Sequence, residues 1–229
     1  MSDQAFLGVL GLGLDPAWRR RPADDRLADL ASFCEADAAA RADDVRSLTY
    51  TSLGLEPGVD LLLWRTGPSV EALESAAARM LRSGLGGWLT VRHALLGRFV
   101  PSQYATKPSE QEAGLRDGER SRYLVVYPFT KQADWYLLSR EARQGVMNEH
   151  MRVGRAYPQV RQALASSFGL DDSDFVVAYE TDDLAAFGEL VRELRGTESR
   201  RSTVRDTPIL VGVRRSLDEL PALLVGSPA

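Results

Sequence analysis

Three side chains in the second half of the chain hold most of its chemical capacity: Tyr127, Lys131 and His150. His150 is one of only two histidines, so an imidazole able to ligate a metal or move a proton is a scarce group here. It shares helical spacing with Ala142, Val146, Val153 and Tyr157, which together make one face of a helix. Two readings follow for a histidine among apolar neighbours. It can be a core residue with satisfied ring nitrogens, which is the commoner case. It can instead be a metal ligand, which requires an interior cavity and an acceptor for the second ring nitrogen. Glu198, ahead of the final strand pattern, is the candidate acceptor. Tyr127 is either an edge packing residue or, beside an oxidising metal centre, a group that loses an electron and a proton. Lys131 is either a solvated loop charge or the partner of a substrate carboxylate.

The elements that must position these groups are written twice. Ser52-Leu53-Gly54-Leu55 leads to Leu61-Leu62-Leu63-Trp64-Arg65-Thr66, and Ser167-Phe168-Gly169-Leu170 leads to Val176-Val177-Ala178-Tyr179-Glu180-Thr181, at an offset of 115 residues. A helical pattern follows each, over Ser69–Ser83 and Asp183–Arg195. Upstream, Phe6–Leu12 leads to Trp18 as Tyr123–Phe129 leads to Trp135, an offset of about 117. Each half reads strand, helix, strand pair, helix, strand, the order of an α+β ferredoxin-like unit. Two such units can pair their sheets around a cavity. The expected division is 1–100 for the first repeat, 101–121 for a connecting loop and 122–229 for the second repeat. Ser139 is placed to cap a helix running to about Tyr157, and Leu217–Val225 reads as a short closing helix.

Composition narrows the alternatives. At 229 residues, with 44% hydrophobic and 26% charged residues, the chain is an ordinary globular one. No apolar run approaches the roughly 18 residues of a transmembrane helix, and the N-terminus lacks a basic signal-peptide start, so a cytoplasmic protein is expected. Net charge of −4 gives no general attraction to nucleic acid, and the run Arg19-Arg20-Arg21 reads as solvated. Cys34 is the sole cysteine, which excludes an internal disulfide and reads as a buried small residue on the first helix. The glycines at 8, 11 and 13 do not have dinucleotide-binding spacing, and His93 has no carboxylate or thiol at metal spacing.

With these words in place, the second half resembles the chlorite dismutase superfamily, and within it the coproheme decarboxylase branch. The similarity rests on Tyr127-Pro128-Phe129-x-Lys131, Trp135-Tyr136-Leu137-Leu138 and Met147-x-Glu149-His150-x-Arg152-Val153-Gly154-Arg155. It continues through Tyr157-Pro158-x-Val160, Phe168-Gly169-Leu170-Asp171-Asp172-x-Asp174-Phe175, Tyr179-Glu180-Thr181-Asp182-Asp183-Leu184 and Arg205-Asp206-Thr207-Pro208. The first half matches only loosely, around Gly54-Leu55 and Asp60-Leu61-Leu62-Leu63-Trp64.

The resemblance implies a duplicated ferredoxin-like fold forming a dimeric α+β barrel, with a haem site in the second repeat. It implies that His150 ligates the iron, with Glu198 as the carboxylate behind it and Trp135 and Lys131 in the porphyrin site. Tyr127 corresponds to the radical-bearing tyrosine, Lys131 to a lysine near a propionate and Gln162 to the distal position. A shift of one residue would put Arg161 there, where chlorite dismutases carry an arginine. A distal histidine used by some members is missing from 101–121. The implied activity is peroxide-dependent decarboxylation of iron-coproporphyrin III (coproheme) to haem b, the porphyrin being both substrate and cofactor. Porphyrin and hydrogen peroxide are the expected partners, without nucleic acid or membrane. The family implies a homo-oligomer, often a pentamer. The alternatives are a chlorite dismutase or peroxidase-like haem enzyme, or a haem-binding protein without turnover.

Overall fold

In the computed structural model, which describes residues 5–104 and 120–226, the apolar runs of the sequence become strands and the amphipathic runs become helices. The chain divides into two units. One contains the residues up to Arg98 together with those from Val211 onward, and the other is Phe99–Leu210.

The first unit begins with β1 (Phe6–Leu14), followed by α1 (Ala23–Ala39), β2 (Arg46–Glu56), β3 (Val59–Gly67), α2 (Val70–Leu81) and β4 (Leu89–Phe99). The second carries β5 (Tyr123–Lys131), α3 (Ala133–Leu137), α4 (Arg140–Arg155), β6 (Arg161–Ser166), β7 (Phe175–Thr181), α5 (Leu184–Arg195), α6 (Glu198–Arg201) and β8 (Thr203–Arg205). The chain then enters β9 (Leu210–Arg215) and a closing helix α7 (Leu220–Leu224). The strand pairings within each unit are antiparallel. The fold is α+β.

In the first unit the strands lie in the order β4–β1–β3–β2–β9. Its core is a packed one: Leu12, Trp18, Leu30, Phe33, Leu61, Met80 and Leu220 form one buried cluster. Trp18 is fully buried, and its indole N–H donates to the Asp29 carboxylate at 2.9 Å, so its polar edge is satisfied. Arg65 is buried too, paired with Asp37 at 2.9 Å, which supplies the countercharge that burial requires. Ser69 caps α2 by accepting from the Ala72 N–H at 3.1 Å. Cys34 lies half-buried on α1, its thiol 3.8 Å from the Leu217 carbonyl.

In the second unit the order is β6–β7–β5–β8. Tyr127 on β5 pairs in register with Val177 on β7, and Gln162 on β6 with Tyr179. Ser139 caps α4, accepting from the Ala142 N–H at 3.2 Å, and Asp183 caps α5, accepting from the Ala186 N–H at 2.9 Å. The expected face of α4 holds in its second half and not in its first: Val153 is buried and Tyr157 packs on the core cluster, while Ala142 is exposed and Met147, Met151 and Gly154 join His150 at the cavity. The helix is strongly polar, so its few apolar residues do not form a continuous stripe to seal it onto the sheet.

The glycines of the repeated words share a backbone conformation, Gly54 inside β2 and Gly169 in the turn after β6. Gly54 and Gly169 both adopt φ of 70°, and in neither case would an added Cβ meet an atom within 4 Å. The left-handed backbone, not crowding, is what calls for glycine there. No helix among the described residues is long and apolar enough to cross a membrane.

Candidate functional site

The second unit encloses a cavity of about 410 Å³, within the size range of small-ligand pockets. The sheet contributes Tyr127, Phe129 and Lys131 from β5, Gln162 from β6, and Phe175, Val177 and Tyr179 from β7. The helices contribute Trp135, Met147, His150, Met151, Gly154, Leu190 and Leu194. Strand alternation thus turns every second residue of β5 and β7 to the same wall. Of the connecting loop, Ser102 and Tyr104 reach the cavity, while residues 105–119 lie outside the described structure.

Five of the six residues nominated from the sequence line this one cavity: Tyr127, Lys131, Trp135, His150 and Gln162. His150 is held from behind, its Nδ1 lying 3.0 Å from the Ser199 hydroxyl. Burial and the nearby Lys131 ammonium push its pKa down to about 4, so the ring is neutral at pH 7. A neutral imidazole with one nitrogen engaged can offer the other as a ligand.

Glu198 is the residue the structure does not bring in. Its carboxylate faces Arg201 at 3.3 Å, and the backbone N–H of Glu198 donates to Glu149. The adjacent Ser199, buried, takes the place expected for it. Glu198 opens the first turn of α6 and points outward, and its exposed carboxylate keeps its hydration there.

Lys131 ends β5. Its backbone N–H donates to Asp174 at 2.7 Å, and the same carboxylate accepts the Tyr136 hydroxyl at 2.6 Å, which fixes the corner into α3. The ammonium donates to the Ser199 carbonyl at 3.0 Å and the Thr203 hydroxyl at 3.2 Å, and stands 4.7 Å from the centre of the Trp135 ring. Burial first, and Arg200 second, lower its pKa to about 8. Tyr127 packs on Tyr179 with ring centres 6.1 Å apart, and burial is the main cause that raises its phenol above the ordinary value.

Gln162 and Arg161 are separated by the pleat. Gln162 faces the cavity, whereas Arg161 donates to the Ser121 hydroxyl at 2.7 Å and lies 3.7 Å from the buried Glu180 carboxylate. Sequence reasoning missed Ser199, Tyr179 and the cations Arg155, Arg195 and Arg200 at the cavity wall. Tyr179 could have been found from its two-residue spacing to Val177 on a strand already read as apolar. The arginines read as ordinary helix-end charges, and nothing in their spacing sets them apart.

The donor set limits what could be held here. Among the described residues no group of three or more His, Cys, Asp or Glu is arranged around a metal. A metal at His150 would therefore have to bring most of its ligands with it. Aromatic and aliphatic walls with Lys131 and Arg155 among them, and Arg195 and Arg200 paired to Asp206, suit a flat apolar molecule carrying carboxylates.

Comparison with known proteins agrees with this geometry. The sequence profile described as chlorite dismutase matches residues 24–215. The chain belongs to the chlorite dismutase family. A coproheme decarboxylase of Mycolicibacterium smegmatis is 33% identical over 79% of this chain and 77% of its own length. A Halobacterium salinarum protein whose name proposes heme binding is 28% identical over 92% of this chain and 47% of its own. Among solved structures, chlorite dismutase from Candidatus Nitrospira defluvii in complex with imidazole superposes with a TM-score of 0.87. The two are 26% identical, over 98% of this chain and 97% of that one.

Proposed function

We propose that the protein is a haem-biosynthetic enzyme that oxidatively decarboxylates iron-coproporphyrin III to haem b with hydrogen peroxide. The observation that supports this most is the meeting of His150, Tyr127 and Lys131 on one cavity. The similarity to a coproheme decarboxylase points the same way. For each of two propionates, propionate, peroxide and one proton give a vinyl group, carbon dioxide and two waters. Bound haem iron would supply the redox centre that peroxide oxidises.

The remaining roles belong to the chain. His150 would hold the iron through the ring nitrogen left open, Nδ1 being engaged by the Ser199 hydroxyl. Tyr127, whose raised pKa keeps it a phenol at neutral pH, gives up its electron and proton together. As a neutral radical it takes a hydrogen atom from the propionate β-carbon, and the carbon radical then gives up a second electron to the peroxide-derived oxidant as the bond to the carboxylate breaks, carbon dioxide leaves and the vinyl group forms. Lys131 binds the reacting carboxylate, and its pKa of about 8 lets it exchange a proton near neutrality. Trp135 fixes the lysine from below, and Gln162 presents an uncharged amide where an arginine would favour a small anion. We also propose that residues 1–100 and 122–229 are copies of one ferredoxin-like unit, paired as a dimeric α+β barrel, the second copy giving its residues from Val211 onward to complete the first unit. The recurring strand order supports it. A cytoplasmic homo-oligomer, a pentamer as the family resemblance implies, completes the reading.

Adding peroxide to the protein with iron-coproporphyrin III, then weighing the porphyrin products, tests it. The expected result is loss of two carbon dioxide units, abolished in Tyr127→Phe. Porphyrin binding with no mass change in the wild type would leave only a binding protein, and oxygen release from chlorite would favour a dismutase.

A further inference from the structure

We propose that a buried hydroxyl relay, Ser199 followed by Thr197, fixes His150 as the Nδ1–H tautomer and so leaves the Nε2 lone pair free. The inference deepens the reading of His150 as an iron ligand and rests on it. The Nδ1 of His150 lies 3.0 Å from the Ser199 hydroxyl, and that hydroxyl lies 3.0 Å from the hydroxyl of Thr197. Thr197 in turn donates to the Leu194 carbonyl at 2.7 Å. Both hydroxyls are buried, at 3% and 5% exposure, so water is not a ready alternative partner.

The direction of the relay follows from counting protons. A carbonyl only accepts, so the single proton of Thr197 is committed to Leu194. The Thr197 oxygen can then only accept from Ser199, which commits the Ser199 proton. Toward His150 the Ser199 oxygen is left as an acceptor, and Nδ1 must carry the hydrogen. The backbone supports the same arrangement, because the Ser199 carbonyl accepts from the Lys131 ammonium at 3.0 Å and holds the turn against β5.

A second consequence concerns the ligand's strength. A neutral hydroxyl withdraws the Nδ1 proton less than a carboxylate would, so the ring remains imidazole with little imidazolate character. Iron held by it has a higher reduction potential than iron held by a carboxylate-paired histidine. Ser199 and Thr197 are positioning residues, and their effect is exerted through His150.

The tautomer can be read without porphyrin. With two histidines in the chain, nitrogen-15 spectra of the apoprotein at neutral pH resolve both, and His93→Gln assigns them. The expected pattern for His150 is a protonated, pyrrole-type Nδ1 and a pyridine-type Nε2. Ser199→Ala and Thr197→Val should raise the Nε2–H population, while Ser199→Thr should keep the wild-type pattern. An Nε2–H ring in the wild type, or unchanged spectra in both Ser199→Ala and Thr197→Val, would overturn the relay.

In the protein loaded with iron-coproporphyrin III, Ser199→Asp should lower the ferric/ferrous potential and raise the iron–histidine stretching frequency. Equal potentials would overturn the second consequence. The functional reading fails separately. A Soret band that does not move on titration sinks iron ligation while the apoprotein spectra still decide the tautomer.

Discussion

The two units share an order of strands but treat the space under their helices differently. The first fills it: Trp18, Leu30, Phe33 and Met80, all at most 1% exposed, meet Leu61 and Leu63 in one cluster. The second keeps a cavity of about 410 Å³ against its sheet. The cause lies in the helices. Helix α2 buries Leu73, Ala76 and Met80, whereas the longer α4 buries Val153 alone and turns His150 and a glycine inward. A topology that can close a core can hold a site when one helix is too polar to fill the gap. The site then costs stability, because the Lys131 ammonium is kept charged while partly desolvated.

Four experiments can break or sharpen that contrast. Trp18→Ala should cost about 3–5 kcal/mol in chemical denaturation, as expected for a large aromatic lost from a packed core. A loss below about 1 kcal/mol would mean that the first unit is not the tightly packed one.

Acid should act through the second unit. His150 has a pKa near 4 when folded against an ordinary 6.5, so between those values the unfolded chain binds the extra proton. Stability is therefore fully present above pH 6.5 and falls toward pH 4, by about 3 kcal/mol at most. Urea midpoints at pH 7 and pH 4.5 measure this, and His150→Leu should remove that share of the loss.

Lys131 gives the alkaline counterpart. Its folded pKa of about 8 lies below the ordinary 10.5, so the unfolded chain again holds more protons between the two. Stability should rise from pH 8 to 10.5, by about 2 kcal/mol after allowing for its partial solvation, and Lys131→Met should flatten the rise. A steeper slope in the variant would contradict the assignment.

The smallest effect is at Gly154, where an added Cβ would meet nothing within 4 Å. Gly154→Ala should stabilise the protein by about 0.5–1 kcal/mol through lower unfolded-state entropy and better helix propensity. Destabilisation by the single methyl, measured by thermal melting, would show that the helix has no room on that side.

Much of this was legible in the sequence because it rests on local chemistry. Ser139 caps the helix it precedes, and the glycines of the two repeated words both take a left-handed backbone. Tyr127, Lys131, Trp135, His150 and Gln162 could be nominated because spacing and resemblance point to them, and they line one cavity. What stood behind His150 was not legible. Glu198 and Ser199 are neighbours, and which of them turns inward depends on one short helical turn after α5, which no periodicity specifies. The face of α4 is legible toward its C-terminal end, where Val153 and Tyr157 pack on the core cluster, but not at its start: apolar spacing marks Ala142 and Val146, whereas the cavity selects Met147 and Met151.

The most direct test of the central claim is a Soret titration of the apoprotein with iron-coproporphyrin III, wild type beside His150→Ala. The account predicts saturable binding with a histidine-ligated spectrum in the wild type, and loss of that spectrum in the variant. No shift in the wild type, or the same shift in both, would contradict it.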